Sequence, residues 1–425
     1  MTIRHLFVVL TLISITNIIY AQGRDDGSFY SRYGVGELVS FASSQAQALG
    51  GASAGLFSYN YMNFSNPGTW SRQTLVRVAI GAQFHRLEAL DAVGRSEQFT
   101  RGNFNAIQIG VPLIAGKLGM GVSYEPFSRI HYQVSTNNSV SVSPREGEFA
   151  YRVNHEGSGG LHQARIGLGF KLTSWASIGA TADILFGIIE EGRRTTFERL
   201  DLLETNLVNT TRLFGVSSTA GVTLSFDSEE YEFVTTLTAT LPTSLDGTRN
   251  LTLGESLNVD TLETSTDGTL ELPTKLLGGV AFSYQNRWLI STEVRYEPWS
   301  SASTTVPLNA FNSTYLRDRV RYSMGVEFIP AGASLQSSYL SRTAYRLGFY
   351  RDRLYVSPVP GRDVVVTAIT GGLGLPTLFF GTRVDLSFEI GTRGSTNYNL
   401  IRDRFIGVSA TLNIGERWFV KRRLG

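Results

Sequence analysis

The sequence predicts an all-β fold: a transmembrane antiparallel β-barrel of about fourteen strands with an amino-terminal luminal plug, or hatch. Three observations predict it. Side chains alternate apolar and polar with a period of two along most of the chain. Most of the alternating segments reach ten residues, the ~9 to 11 needed to cross a bilayer at a tilt, rather than the usual five or six of a soluble strand. Short and long polar connections follow one another in turn, as in a meander with tight turns at one rim and long loops at the other. A soluble sandwich also alternates, but its strands are shorter and its loops lack this rhythm.

Composition agrees. Only 17% of residues are charged, against roughly 25% in soluble domains. Beyond the amino terminus there is no apolar run of the ~20 residues a membrane helix requires. A net charge of +2 gives no footprint for nucleic acid.

Residues 1–21 read as a signal peptide, with Arg4 and His5 before the apolar stretch Leu6 to Ile19 and Ala21 ahead of Gln22. The alternative is an anchoring helix. The chain has no cysteine, so an exported fold must rest on a large core or on the membrane rather than on disulfides.

Residues 22–73 break the strand rhythm. They are rich in Gly, Ala and Ser and end in the turn-prone Ser65 to Trp70. Such a segment is long enough to fold back into the lumen, where Gly50, Gly51 and Gly55 allow close backbone packing. A periplasmic linker is the alternative.

The barrel is expected over 74–425. In "RVDLSFEIG", Val384, Leu386, Phe388 and Ile390 share one face while Arg383, Asp385 and Glu389 share the other. A bilayer offers no partners to backbone amides, so the sheet must close on itself, with the aliphatic row toward lipid. The same reasoning places Arg77, Arg165, Asp183, Glu293, Arg295 and Glu327 in the lumen with Arg383, Asp385 and Glu389. They are candidates for a ligand headgroup, although opposed charges can equally brace the wall. Long connections are expected at 88–103, 135–158, 190–211, 242–273, 297–318, 351–362 and 392–402. Aromatics near strand ends, among them Tyr124, Trp288, Tyr296, Trp299 and Phe328, suit membrane interfaces. The last strand ends in Trp418 and Phe419 and resembles the signal read by the barrel-assembly machinery, an expected partner during biogenesis, although "VKRRLG" follows it.

Signs of covalent chemistry are weak. His155 and His162 lie seven residues apart in what reads as a glycine-rich loop, no metal-ligand spacing. Glu190 and Glu191 read as loop charges, and "GGLGLP" at 371–376 lacks the Lys-Ser/Thr of a phosphate loop. Neither catalysis nor a cofactor is expected.

The run "ALGGASAGL" followed by "NFSNPGTWS" resembles the hatch of FadL-type outer-membrane transporters. Asn66 and Pro67 match the Asn-Pro-Ala-like element of that family, and Gly68 stands where Ala is usual. "SRYGVGEL" at 31–38 and the closing strands look like Bacteroidetes members of the group. The resemblance implies a fourteen-stranded barrel that passes hydrophobic molecules such as long-chain fatty acids or aromatic compounds into outer-membrane lipid. A branch of the same superfamily, the PorV-like proteins, instead serves type 9 secretion, and an accessory role in a secretion or gliding complex is the alternative.

Overall fold

The computed structural model describes residues 27–40, 43–56, 61–143, 147–198, 203–255, 262–308, 311, 313–332, 334, 336–379 and 381–417. The segment read as a signal peptide, and Trp418 and Phe419, lie outside these residues. The amino-terminal segment carries a 3-10 turn at Phe29–Arg32, the two-residue strand β1 (Glu37–Leu38), helix α1 (Ser44–Ala48) and a second 3-10 turn at Pro67–Arg72. The wall follows as β2 (Val76–Leu90), β3 (Ser96–Ile114), β4 (Leu118–Pro126), β5 (Ser128–Ser143), β6 (Gly147–Lys171), β7 (Ala176–Phe197), β8 (Thr205–Asp227), β9 (Tyr231–Thr240), β10 (Thr243–Glu255), β11 (Leu262–Leu272), β12 (Lys275–Tyr284) and β13 (Trp288–Glu297). After the two-residue β14 (Ser303–Thr304) come β15 (Arg319–Phe328), helix α2 (Tyr339–Arg342), β16 (Ala344–Arg353), β17 (Val365–Pro376), β18 (Arg383–Arg393) and β19 (Arg402–Glu416).

Three wall strands are interrupted, at Phe127 between β4 and β5, at 241–242 between β9 and β10, and at Pro273–Thr274 between β11 and β12. β19 pairs with β2 from Arg402↔Leu90 to Glu416↔Val76 and closes an antiparallel barrel of 14 strands. Closure matters because in hydrocarbon every unpaired amide costs several kcal/mol.

The opening alternation resolves as two surfaces. Phe388 and Ile390 are 51% and 58% exposed on the outer face, while Arg383, Asp385 and Glu389 are buried inside.

Most of the connections expected to be long loops are strand instead. β2 and β3 pair as far as Leu90↔Ser96, β5 and β6 as far as Ser143↔Gly147, and β10 and β11 as far as Leu253↔Leu262. Glu190, Glu191, His155 and His162 therefore lie in β7 and β6, not in loops. Beyond the lipid-facing span many positions of these stretches meet water and only a few, such as Val153, Leu245 and Leu270, are buried inside, so the apolar alternation fades while the backbone ladder continues. The connection 298–318 joins the wall ladder only at β14, where Ser303 and Thr304 pair with Glu271 and Leu270, and folds into the barrel mouth. Trp299, expected at a membrane interface, is only 2% exposed there. It packs against Tyr355 with centroids 4.3 Å apart and the rings tilted by 38°.

The interior has two tiers. Toward the rim of long strands an apolar core joins Leu161, Leu185, Leu213, Leu245 and Leu270 of the wall to Trp299, Val306 and Leu316 of the 298–318 connection. Val306 sits where a side chain on Gly268 or Gly247 would have to go. Toward the short turns the interior is polar and charged.

Candidate functional site

Each luminal charge on the wall is held inward by strand parity, and most have a partner. Asp385 accepts from Arg346 Nη1 at 2.6 Å and from Asn413 Nδ2 at 2.7 Å. Arg346 Nε also donates to Glu327 at 2.5 Å, and Arg383 lies 3.6 Å from Asp385. These four charges form one chain across β15 to β18. Arg165 pairs with Asp183 at 2.9 Å and approaches Glu125 at 3.7 Å. Arg295 pairs with Glu293 at 3.2 Å. Arg77 stands apart, donating to the Gly381 carbonyl at 3.4 Å.

The same groups grip the amino-terminal segment. Glu293 Oε2 accepts the amides of Ser53 and Ala54 at 3.1 and 2.9 Å. Glu389 accepts from Gln47 Nε2 at 2.5 Å and from the Tyr350 hydroxyl. Arg165 Nη1 donates to the Phe64 carbonyl at 2.7 Å. Gly50 donates to Thr370 Oγ1 at 3.0 Å and accepts from Arg321 at 3.1 Å. Its φ of 66° suits glycine, and a Cβ there would meet the Phe349 backbone. Gly51 also has positive φ, at 92°, and a Cβ on Gly55 would come within 3.1 Å of Ala281 Cβ. Asn66 caps the 3-10 turn through Gly68 N at 3.0 Å, while its Nδ2 donates to Thr223 at 2.7 Å and Pro67 starts the turn.

One seam of the wall is different. β3 pairs with β4 from Ile114↔Leu118 to Ile107↔Tyr124, and beyond that point no ladder joins β3 to β5 among the described residues. Gly159 and Gly160, at φ 96° and 137°, bend β6 at this level, where side chains would collide with backbone. β5 turns Ile130 and Tyr132 into the apolar core. β1 pairs with the edge that β5 leaves free, Glu37↔Arg129 and Leu38↔Ser128. The Ser31 hydroxyl continues that contact, accepting from His131 N at 3.1 Å and donating to His131 O at 2.8 Å. Arg129 Nη2 reaches across to the Phe104 carbonyl at 2.8 Å. Glu37 meets Arg393 at 2.5 Å and Arg101 at 3.7 Å. Burial pushes the Glu37 carboxyl upward, but Arg393 and then Arg101 outweigh it and hold the group well below the usual carboxylate range.

Two cavities flank residues 38–40. One, of about 130 Å³, is lined by Leu87, Phe99, Arg101, Arg129, Val366 and Phe405. The other, of about 120 Å³, is lined by Phe64, Glu125, Arg165, Lys275, Arg295 and Glu297. Arg319 borders both and is itself paired with Asp352 at 2.7 Å. Of the charges read from sequence, Arg165, Arg295 and Glu389 line these two cavities, and Arg77 lines another of about 250 Å³ beside Trp70 and Arg72. Arg101, Arg129, Arg319, Arg346 and Arg393 escaped that reading. For Arg346 the signal was available, since Tyr345 and Leu347 flank it in the same alternation. Arg101 lay in a stretch without an apolar row, whereas Arg129 alternates with Ile130, Tyr132 and Val134, a row that faces the core rather than lipid.

No curated protein matches the chain in sequence. Among solved structures, the CymD monoaromatic hydrocarbon channel is similar over 91% of this chain and 100% of its own, at 13% identity and a TM-score of 0.58. A Pseudomonas aeruginosa FadL homologue covers 89% and 98%, at 11% identity and 0.59. The Ralstonia pickettii toluene transporter TbuX covers 92% and 100%, at 12% identity and 0.56. At such identities the likeness is one of fold, that of a Gram-negative outer-membrane barrel. The family model named BamG matches residues 1–425. A barrel of FadL-like fold matched from end to end by that model is a member of the BamG family.

Proposed function

We propose that the barrel takes up hydrophobic small molecules across the outer membrane and delivers them toward lipid, with long-chain fatty acids as the finer assignment. One observation carries this reading: the wall ladder is lost between β3 and β5 beside the cavity that residues from both strands line. Leu87, Phe99 and Phe405 would shelter a tail, at roughly 25 cal/mol per Å² of apolar surface buried. Arg129 and Arg101 would hold a carboxylate. Residues 27–73 act as the plug, and β1 is the piece that must yield for the seam to pass a ligand. The names of the similar hydrocarbon channels support the solute class. Uptake of labelled oleate and of toluene into cells tests it. Phe99→Asp should abolish both, and Arg129→Gln should impair oleate alone. Uptake no greater than in cells lacking the protein would end the proposal.

A second reading is favoured by a different observation. The apolar core fills the outer mouth, and the family name accords with barrel assembly. In that reading the protein is an accessory barrel, and its depletion lowers the levels of other outer-membrane barrels while leaving hydrocarbon uptake intact. Nothing in the wall or lumen favours the secretion or gliding alternative.

A further inference from the structure

The outer surface of the barrel carries a charged band that neither reading uses. Tyr322, Arg351, Thr367, Thr392, Arg404 and Glu88 are successive cross-strand partners on β15 to β19 and β2. Strand parity turns them outward, because Tyr350, Asp352, Val366, Arg393 and Asp403 between them are buried. Two residues closer to the membrane centre, a shift of roughly 7 Å along the strands, the row becomes Phe349, Ile369, Ile390 and Ile406, which are 37% to 58% exposed. The partner of Ile406 is Arg86. Thus lipid-facing aliphatics give way in one step to Arg351, Arg404 and Arg86, all exposed, with Arg402 half-buried just above.

No carboxylate among the described residues lies within 4.0 Å of these four arginines. Arg86 donates to Gln98 at 2.5 Å, and Glu88 is the single acid in the row. Arg212 of β8, another exposed arginine of the wall, shares its surface with Asp246 and Asp267. Positive charge is therefore gathered on the β16 to β2 side rather than mixed with acids. Three strand spacings separate Arg351 from Arg404, about 14 Å, with the Thr367 and Thr392 hydroxyls between them. Arg404 and Arg86 are diagonal neighbours, about 7 to 8 Å apart.

We propose that this face binds a phosphorylated lipid headgroup of the outer leaflet. The guanidiniums around Arg404 and Arg86 take one phosphate and Arg351 takes a second, while acyl chains lie on the aliphatic row beneath. Arginine matches phosphate with paired N–H donors, and each basic side chain near a charged membrane surface contributes about a factor of five in affinity. Free phosphate has no counterpart to the aliphatic row, so the ligand is an amphiphile.

The test is native mass spectrometry of the full-length detergent-solubilised barrel. It is titrated with bisphosphorylated lipid A, with the same lipid after enzymatic dephosphorylation, and with inorganic pyrophosphate. The phosphorylated lipid should bind at least about tenfold more tightly than the dephosphorylated form. The triple variant R86Q/R351Q/R404Q should erase that preference, and R86K/R351K/R404K should restore most of it. Equal affinity of the wild type for the two lipids, or an undiminished preference in the glutamine variant, overturns the proposal. Pyrophosphate binding as tightly as the lipid overturns the lipid assignment. Should the glutamine variant fail to fold, the wild-type comparison of the two lipids decides alone.

Discussion

The two tiers of the lumen solve one problem in opposite ways. Near the short turns, Arg346 is clamped between Glu327 and Asp385 and the amino-terminal backbone is held by carboxylates and guanidiniums. Near the long strands, Leu245, Leu270 and Val306 are fully buried in a continuous apolar core. The charged tier requires every member to be present, because removing one partner strands a buried charge. The apolar tier requires shape and dryness, because its cost of change is a cavity or an unpaired polar group. Specific anchoring of the amino-terminal segment falls to the first tier, and filling of the mouth falls to the second.

The comparison is most sharply broken by removing the segment that the charged tier holds. Deleting residues 40–65 should open a conducting path, read as current across planar bilayers and as sensitivity of cells to large antibiotics. Unchanged permeability would mean that the apolar tier alone seals the barrel. Next in size, Arg346→Ala should cost about 3–5 kcal/mol by orphaning Glu327 and Asp385, measured as a shift in thermal loss of heat-resistant gel mobility. Replacing all three together by Met, Gln and Asn should cost far less. Trp299→Ala in the upper tier should cost a comparable ~3–5 kcal/mol through a cavity, with no rescue by any polar partner. Arg72, which bridges Asp227 and Glu232 near the short turns and is partly exposed, should matter least of the substitutions. Arg72→Ala should cost about 0–1 kcal/mol and less in high salt.

The smallest expected effect is none at all. The Glu37 carboxyl is held low, so its stabilising contribution is present above the ordinary carboxylate pKa and is lost only as pH falls through the depressed value. The protection factors of residues 27–38, exchange rates divided by the pH-dependent intrinsic rate, should therefore be unchanged between pH 8 and pH 5. Lower protection at pH 5 would show that Arg393 and Arg101 do not hold Glu37 as described.

Wall direction was legible because lipid imposes a single rule on alternate residues, as at Val384 to Ile390. Rows such as 135–158 were not, since strand in water on both faces reads like loop. The buried position of Trp299 was also hidden. A tryptophan beside a strand end looks the same whether it meets headgroups or folds back under Tyr355, and only the path of 298–318 decides. The seam left no local mark in β3. Its cause lies fifty residues further on, at Gly159 and Gly160, where the bend of β6 carries β5 away. The Glu37–Arg393 pair spans most of the chain, and no spacing rule could have joined it.

Glu293, whose carboxylate receives Ser53 and Ala54, also constrains the order of biogenesis. A cylinder zipped shut by β19 against β2 before the amino-terminal segment was inside would enclose acids with nothing to answer them, and that stretch would then have to enter at the short-turn rim, where it joins β2. Seating that segment while the last strand is still open leaves none of these acids unanswered, and makes it a template around which the cylinder can be wrapped.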